Sequence, residues 1–125
     1  MLAREGPGWR LARDPLRGEF SVLIGGDSWA IELTESEWSQ LVPLVSDLIN
    51  QHQGYKNRLM NEEEISLEIE RLPWWGCLNG NKNSWSLKLI LTGDSSQKRG
   101  VEMYWPIPIA QSMASEMRIM WDSCQ

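Results

Sequence analysis

Few side chains in this sequence could carry out nucleophilic or metal chemistry. His52 is the single histidine, and Cys77 and Cys124 are the two cysteines. A Cys77–His52 pair is conceivable as an activated nucleophile, but neither residue lies in a motif for it. A metal site would need carboxylates almost alone, and the run Glu62-Glu63-Glu64 is typical of a solvated connection. We therefore predict no catalytic site, no metal site and no cofactor, and we do not expect an enzyme.

Tryptophan is the residue type with the most binding potential, since eight tryptophans occur in 125 residues and aromatic rings can stack on nucleic-acid bases. Five of them are in phase with apolar neighbours and are predicted to pack in the core: Trp29, Trp38, Trp85, Trp105 and Trp121. For Trp9, Trp74 and Trp75, the pattern does not determine whether the side chain packs in the core. Because Trp74 and Trp75 are adjacent on a predicted strand, they must point to opposite faces. One of the two should lie off the core face, where it contacts a ligand or partner or is covered by a loop or helix.

Cations form the second group of candidate binding residues. The net charge of −5 opposes strong non-specific binding to phosphate backbones, which depends on Lys and Arg. The first eighteen residues nevertheless carry four arginines against two acids. If single-stranded nucleic acid lies across the sheet, the side chains predicted to meet its phosphates are Arg10, Arg13, Arg17, Lys82 and Lys88.

Length and composition predict one domain over residues 1–125. Hydrophobic content of 42% with charged content of 23% is ordinary for a globular protein. No apolar run approaches the roughly 20 residues of a membrane span, and the N-terminus lacks the apolar core of a signal peptide. Cys77 lies inside a predicted hairpin and Cys124 is penultimate, so we expect reduced thiols. These features predict a cytoplasmic protein that does not associate with membranes.

The clearest element is a β-hairpin over residues 73–91, with the sequence PWWGCLNGNKNSWSLKLIL. Trp85, Leu87 and Leu89 alternate with polar residues, as in a strand with one buried face. The Asn- and Gly-rich residues 79–83 supply the reversal. Gly76, between large residues, predicts the close approach of another part of the protein.

Other elements follow from the same patterns. Residues 1–8 read as an irregular lead-in, and alternation predicts strands over residues 9–13, 20–24, 29–33, 65–70 and 101–105. Thr34 and Glu37 match a capping box at the start of a first helix, and a second helix is predicted after Pro106. The fold class is α+β with antiparallel sheet, in the order three strands, helix, four strands, helix.

Five sequence blocks resemble the recurring blocks of a small cyanobacterial family of unknown function. They are EGPGWRL at 5–11, VLIGG at 22–26, WAIELTE at 29–35, PWWGC at 73–77 and RGVE at 99–102. Members of that family are similar in fold to the Whirly-type single-stranded-DNA-binding transcriptional regulators. The resemblance implies an arrangement of strands, helix, strands and helix, and brings no catalytic or binding residues with it.

Two functions are therefore expected, and the charge around the exposed tryptophan distinguishes between them. The first is a protein-interaction or assembly module that docks a protein partner or a second copy through an exposed tryptophan and an open sheet edge. The alternative is a regulatory module that binds single-stranded DNA or RNA on the sheet face. A continuous positive stripe across an exposed tryptophan would favour nucleic acid, whereas an apolar patch rimmed by acids would favour protein.

Overall fold

The computed structural model describes residues 1–93 and 99–123, which form two four-stranded antiparallel sheets and two α-helices. The first sheet contains β1 (Leu2–Gly6), β2 (Trp9–Arg13), β3 (Val22–Gly25) and β4 (Ala30–Leu33), with a 3-10 turn at Pro15–Arg17. The second sheet contains β5 (Ile65–Arg71), β6 (Trp74–Gly80), β7 (Trp85–Leu91) and β8 (Val101–Trp105). Helix α1 (Glu35–Lys56) lies between the sheets in chain order, and α2 (Ile109–Ser123) follows the second sheet. The α+β class with antiparallel sheet is confirmed.

The predicted order of three strands before the first helix is wrong, because the expected irregular lead-in contains β1. This strand pairs with β2 from Leu2 opposite Arg13 to Gly6 opposite Trp9. Gly8, at a φ of 78°, provides the left-handed residue of the turn between them. Most of β1 is exposed, and an edge strand of this kind has no buried face to produce an alternating apolar pattern. The order is four strands, helix, four strands, helix.

The predicted capping box at the start of α1 is confirmed. The Thr34 hydroxyl accepts a hydrogen bond from the Glu37 amide at 3.1 Å, and the Thr34 amide donates to the Glu37 carboxylate at 2.8 Å. Helix α1 packs its apolar side on β5 and β6. A Cβ atom on Gly76 would lie 2.6 Å from Leu44 and 3.0 Å from Leu48, so the predicted close approach at this glycine is the approach of α1.

Both sheets contribute to one hydrophobic core. Trp105, on β8, donates its indole N–H to the Gly25 carbonyl of β3 at 3.1 Å, and its ring lies 5.2 Å from that of Trp29. Helix α2 contacts β1 and β2 of the first sheet and β7 of the second. The core role predicted for five tryptophans is confirmed: Trp38, Trp85 and Trp105 are buried, and Trp29 and Trp121 pack partly buried against the core. Cys77 is buried and free, whereas Cys124 lies outside the described residues.

Gly80 at the end of β6 offers a direct test of the hairpin geometry. A Cβ atom there would overlap the Ser84 carbonyl oxygen and lie 2.5 Å from the Trp85 Cα atom. Because both are backbone atoms, the backbone of the hairpin must shift to make room for the added methyl group. We expect Gly80→Ala to lower the free energy of unfolding by roughly 1–3 kcal/mol, measured by urea denaturation.

Gly54→Ala is the matched control, because Gly54 lies within α1 and a Cβ atom there has no neighbour within 4 Å. Alanine is the better helix former, so this variant should gain about 0.5–1 kcal/mol. Equal urea midpoints for Gly80→Ala and the unmodified protein would contradict the described hairpin.

Candidate interaction site

The second sheet has one face against the helices and one face directed away from them. Gly76 meets α1 on the inner face, and side chains alternate along a strand, so Trp75 and Cys77 point outward. Strand pairing extends this alternation to all four strands. We call the outward-pointing set the outer face, and it comprises Ser66, Glu68, Glu70, Trp75, Cys77, Asn79, Ser86, Lys88, Ile90, Glu102 and Tyr104.

An apolar strip bordered by acids crosses the outer face. Trp75 and Ile90 are direct cross-strand neighbours, with Glu70 opposite Trp75 on one side and Glu102 opposite Ile90 on the other. Both apolar side chains are half-buried and both glutamates are exposed. Tyr104 on β8 extends the apolar surface and is 51% exposed. The strip therefore presents aromatic and aliphatic surface between carboxylates.

The neighbouring row of the outer face carries one acid and one base. It runs from Glu68 through Cys77 and Lys88 to Tyr104. Lys88 donates to the Glu102 carboxylate at 2.8 Å, and this hydrogen bond raises the pKa of the Lys88 ammonium group. The outer face thus carries one cation and three glutamates, and the cation is paired with one of these glutamates.

The two adjacent tryptophans point to opposite faces, as expected. Trp74 is fully buried, and its indole N–H donates to the Glu37 carbonyl at 3.0 Å. Trp75 is the residue off the core face. Trp9 is 7% exposed and packs over Gly6, where a Cβ atom would lie 2.5 Å from the indole nitrogen. Of the three candidate tryptophans, Trp75 offers the accessible ring.

The three candidate arginines belong to the first sheet and the turn that follows β2, and each has a protein partner. Arg13 donates two hydrogen bonds to the Glu35 carboxylate, at 3.0 and 2.8 Å. Arg17 pairs with Glu32. Arg10 donates to the Trp29 carbonyl at 3.2 Å.

The two candidate lysines lie at separate places. Lys82, in the β6–β7 turn, lines a cleft with the two helices, whereas Lys88 is on the outer face. The candidate cations are thus divided between the first sheet, the helix side and the outer face, and do not form a continuous positive stripe.

Five further residues of the outer face are not indicated as binding residues by the sequence pattern: Glu68, Glu70, Ile90, Glu102 and Tyr104. The sequence does indicate that the two glutamates of β5 share one face of the strand, because they alternate with Ile65, Leu67 and Ile69. Their position beside Trp75 depends on strand register, which the alternation does not specify.

A larger recess, of about 680 Å³, lies beside the start of α1 and is lined by Thr34, Gln40, Pro73 and Arg99, among others. The Arg99 guanidinium is already bound there to the Glu37 carboxylate at 2.7 Å. Across residues 1–93 and 99–123, no three His, Cys, Asp or Glu side chains are grouped so as to hold a metal ion. In the same residues, no helix is both long and apolar enough to cross a membrane.

A family model described as a domain of unknown function, DUF1818, matches residues 4–120. The chain belongs to the DUF1818 family. It is also similar to a crystal structure of a protein with unknown function from Prochlorococcus sp. NATL2A, which carries the description DUF155 family. The two chains are 47% identical with a TM-score of 0.91, and the match covers 97% of this chain and 99% of the other. No curated protein matches this sequence.

These comparisons confirm the expected membership of a family of unknown function, and Prochlorococcus is a cyanobacterium, as the resemblance implied. The high TM-score over nearly the whole of both chains shows that the two proteins share this fold. Neither comparison assigns an activity to the outer face.

The Arg13–Glu35 pair makes the stability of this DUF1818 domain dependent on pH. Hydrogen bonds from Arg13 outweigh burial and lower the pKa of Glu35 below 4.5. Because the folded pKa is below the unfolded one, the stabilisation is complete above about pH 4.5 and is lost as the pH falls through the folded value. We expect Glu35→Gln to lower the free energy of unfolding at pH 7 by up to about 1 kcal/mol, since the Glu35 side chain is 42% exposed and solvent screens the pair.

Urea denaturation at pH 7 and pH 3 would measure this effect, and the difference between the two proteins should shrink at pH 3. Glu19→Gln is the control for loss of one negative charge, because Glu19 is exposed. A difference of the same size at both pH values would contradict a role for ionised Glu35.

Proposed function

We propose that this domain is a non-enzymatic protein-interaction module that binds its partner through the outer face, with Trp75 at the centre. The observation that carries the proposal is the apolar strip of Trp75, Ile90 and Tyr104 between exposed glutamates. Trp and Tyr are enriched among the residues that dominate binding energy at protein interfaces. A half-buried tryptophan is also held in place before binding, so little conformational entropy is lost when a partner covers it.

The charge of the outer face specifies the chemistry of the partner. Glu68, Glu70 and Glu102 surround the strip, and Lys88 is their only counter-charge on this face. A partner with an apolar segment flanked by Lys or Arg would be electrostatically complementary. A symmetric dimer through this face would bring the same glutamates together, so we favour a different protein over a second copy.

Single-stranded nucleic-acid binding is the second candidate, and it rests on the resemblance of the sequence to a family similar to Whirly-type regulators. A shared fold does not by itself carry a shared function. On the outer face the strand would have to bring its phosphates next to three glutamates around Trp75. Electrostatic repulsion there is the reason we rank protein binding first.

Two variants change the apolar anchor and the negative charge of the outer face separately. Trp75→Ala removes the apolar anchor, and Glu70→Lys reverses the charge beside it. A photo-crosslinking residue at position 90 would capture the partner from cells. The affinity of the captured partner for the domain would then be measured with purified components. We expect Trp75→Ala to weaken binding by about 2 kcal/mol, or roughly 30-fold, and Glu70→Lys to weaken it more at low salt than at high salt.

Tyr55→Ala is the control, because Tyr55 is an aromatic residue of α1 that is 44% exposed and lies off the outer face. A captured protein that binds Trp75→Ala and Glu70→Lys as tightly as the unmodified domain would contradict the proposal. Titration with labelled single-stranded DNA and RNA at two salt concentrations tests the alternative. Salt-sensitive binding that is lost in Trp75→Ala would establish nucleic acid as the ligand of this face.

A further inference from the structure

A cleft of about 290 Å³ opens on the helix side of the second sheet, between α1, α2 and the β6–β7 turn. Its cations are Lys56 from the last turn of α1, Lys82 from the turn, and Arg118 from α2. We call this site the basic cleft. It is separate from the outer face, and a ligand bound there does not depend on the function proposed for that face.

The described residues that line the basic cleft concentrate positive charge. No Asp or Glu is among the described residues that line it. Arg13, Arg17 and Lys88 have carboxylate partners elsewhere. The side chains of Lys56, Lys82 and Arg118 make no hydrogen bond or ion pair with any residue in the described ranges. In a chain of net charge −5, three unpaired cations from three separate elements create a local positive potential that attracts anions.

The turn that carries Lys82 is fixed in position by its own hydrogen bonds. The Asn81 side-chain oxygen accepts from the amides of Asn83 and Ser84, at 2.8 and 3.0 Å. His52 of α1 binds the Asn81 carbonyl through Nε2 at 2.8 Å. The backbone under Lys82 is therefore tied to the same helix that carries Lys56.

Helix α2 is attached to the same turn through Gln111. Its side-chain nitrogen donates to the Asn83 carbonyl at 3.1 Å, and its oxygen accepts from the Trp85 amide at 3.3 Å. Arg118 lies two turns further along α2. The three elements that supply the cations are thus linked to one another before any ligand binds, which reduces the ordering cost of binding.

We propose that the basic cleft binds a small phosphate-bearing ligand, with Lys56, Lys82 and Arg118 as the charged contacts. Arg and Lys both recognise phosphate, Arg through its planar pair of N–H donors and Lys as a point charge. Gln53 and Ser115 line the cleft as well and add uncharged donors. The volume is close to the lower end for small-molecule sites and suits a phosphate or diphosphate group with a small organic substituent.

Pyrophosphate is the probe for this site, titrated into the intact domain by calorimetry at low salt. We expect one bound pyrophosphate per chain, and a loss of affinity of roughly tenfold or more in Lys82→Gln and in Arg118→Gln, since each removes a charged hydrogen-bond donor. Lys88→Gln is the matched control: it removes the same charge from the outer face and should bind pyrophosphate as the unmodified domain does. Amide NMR shifts at Lys82 and Ser115 should accompany binding.

Three results would overturn the proposal. The first is no pyrophosphate binding by the unmodified domain, and the second is an equal loss of affinity in Lys88→Gln, which would indicate a general charge effect. The third is binding of a short oligothymidine, weakened by Lys82→Gln and Arg118→Gln, when pyrophosphate does not bind. That result would assign the cleft to a nucleic-acid strand. Pyrophosphate titrations do not involve Trp75, so they are independent of the test of the outer face.

Discussion

Glu37 links α1 to the second sheet directly and, through Arg99, to the first sheet. Its carboxylate caps α1 through the Thr34 amide and also binds Arg99, which lies just before β8. Its carbonyl accepts the indole N–H of Trp74 at the start of β6. Arg99 in turn donates to the Glu32 carbonyl of β4 and lies 4.8 Å from the centre of the Phe20 ring. Because Glu37 is 8% exposed, removing either charge would leave the other without its partner in a partly buried site.

This arrangement determines which side chains are left for binding. Trp74 is used in the core, so Trp75 must point to the outer face. Pairing with carboxylates also occupies Arg13 of the first sheet and Arg17 of the turn that follows β2. The side chains that remain accessible form an apolar strip bordered by glutamates on one side of the second sheet and a group of unpaired cations on the other.

The sequence predicted those features that depend on neighbours along the chain. The capping box at Thr34, the β6–β7 hairpin and the opposite directions of Trp74 and Trp75 follow from local patterns. Strand β1 could not be predicted, since an exposed edge strand lacks the alternation that marks a buried face. The partners of the candidate cations could not be predicted either, because Arg13 and Glu35 are 22 residues apart and meet only when the first sheet has formed.

The net charge of −5 conceals an uneven distribution of charge on the two sides of the second sheet. Carboxylates surround Trp75, the ring that could stack on a base, while the unpaired cations lie on the helix side around Lys82. Binding of single-stranded nucleic acid by stacking requires an exposed aromatic ring and cations in one groove. Here the second sheet lies between Trp75 and the unpaired cations. A protein partner on the outer face and a small phosphate-bearing ligand in the basic cleft each need only one of the two features, so the same fold can accommodate both without conflict.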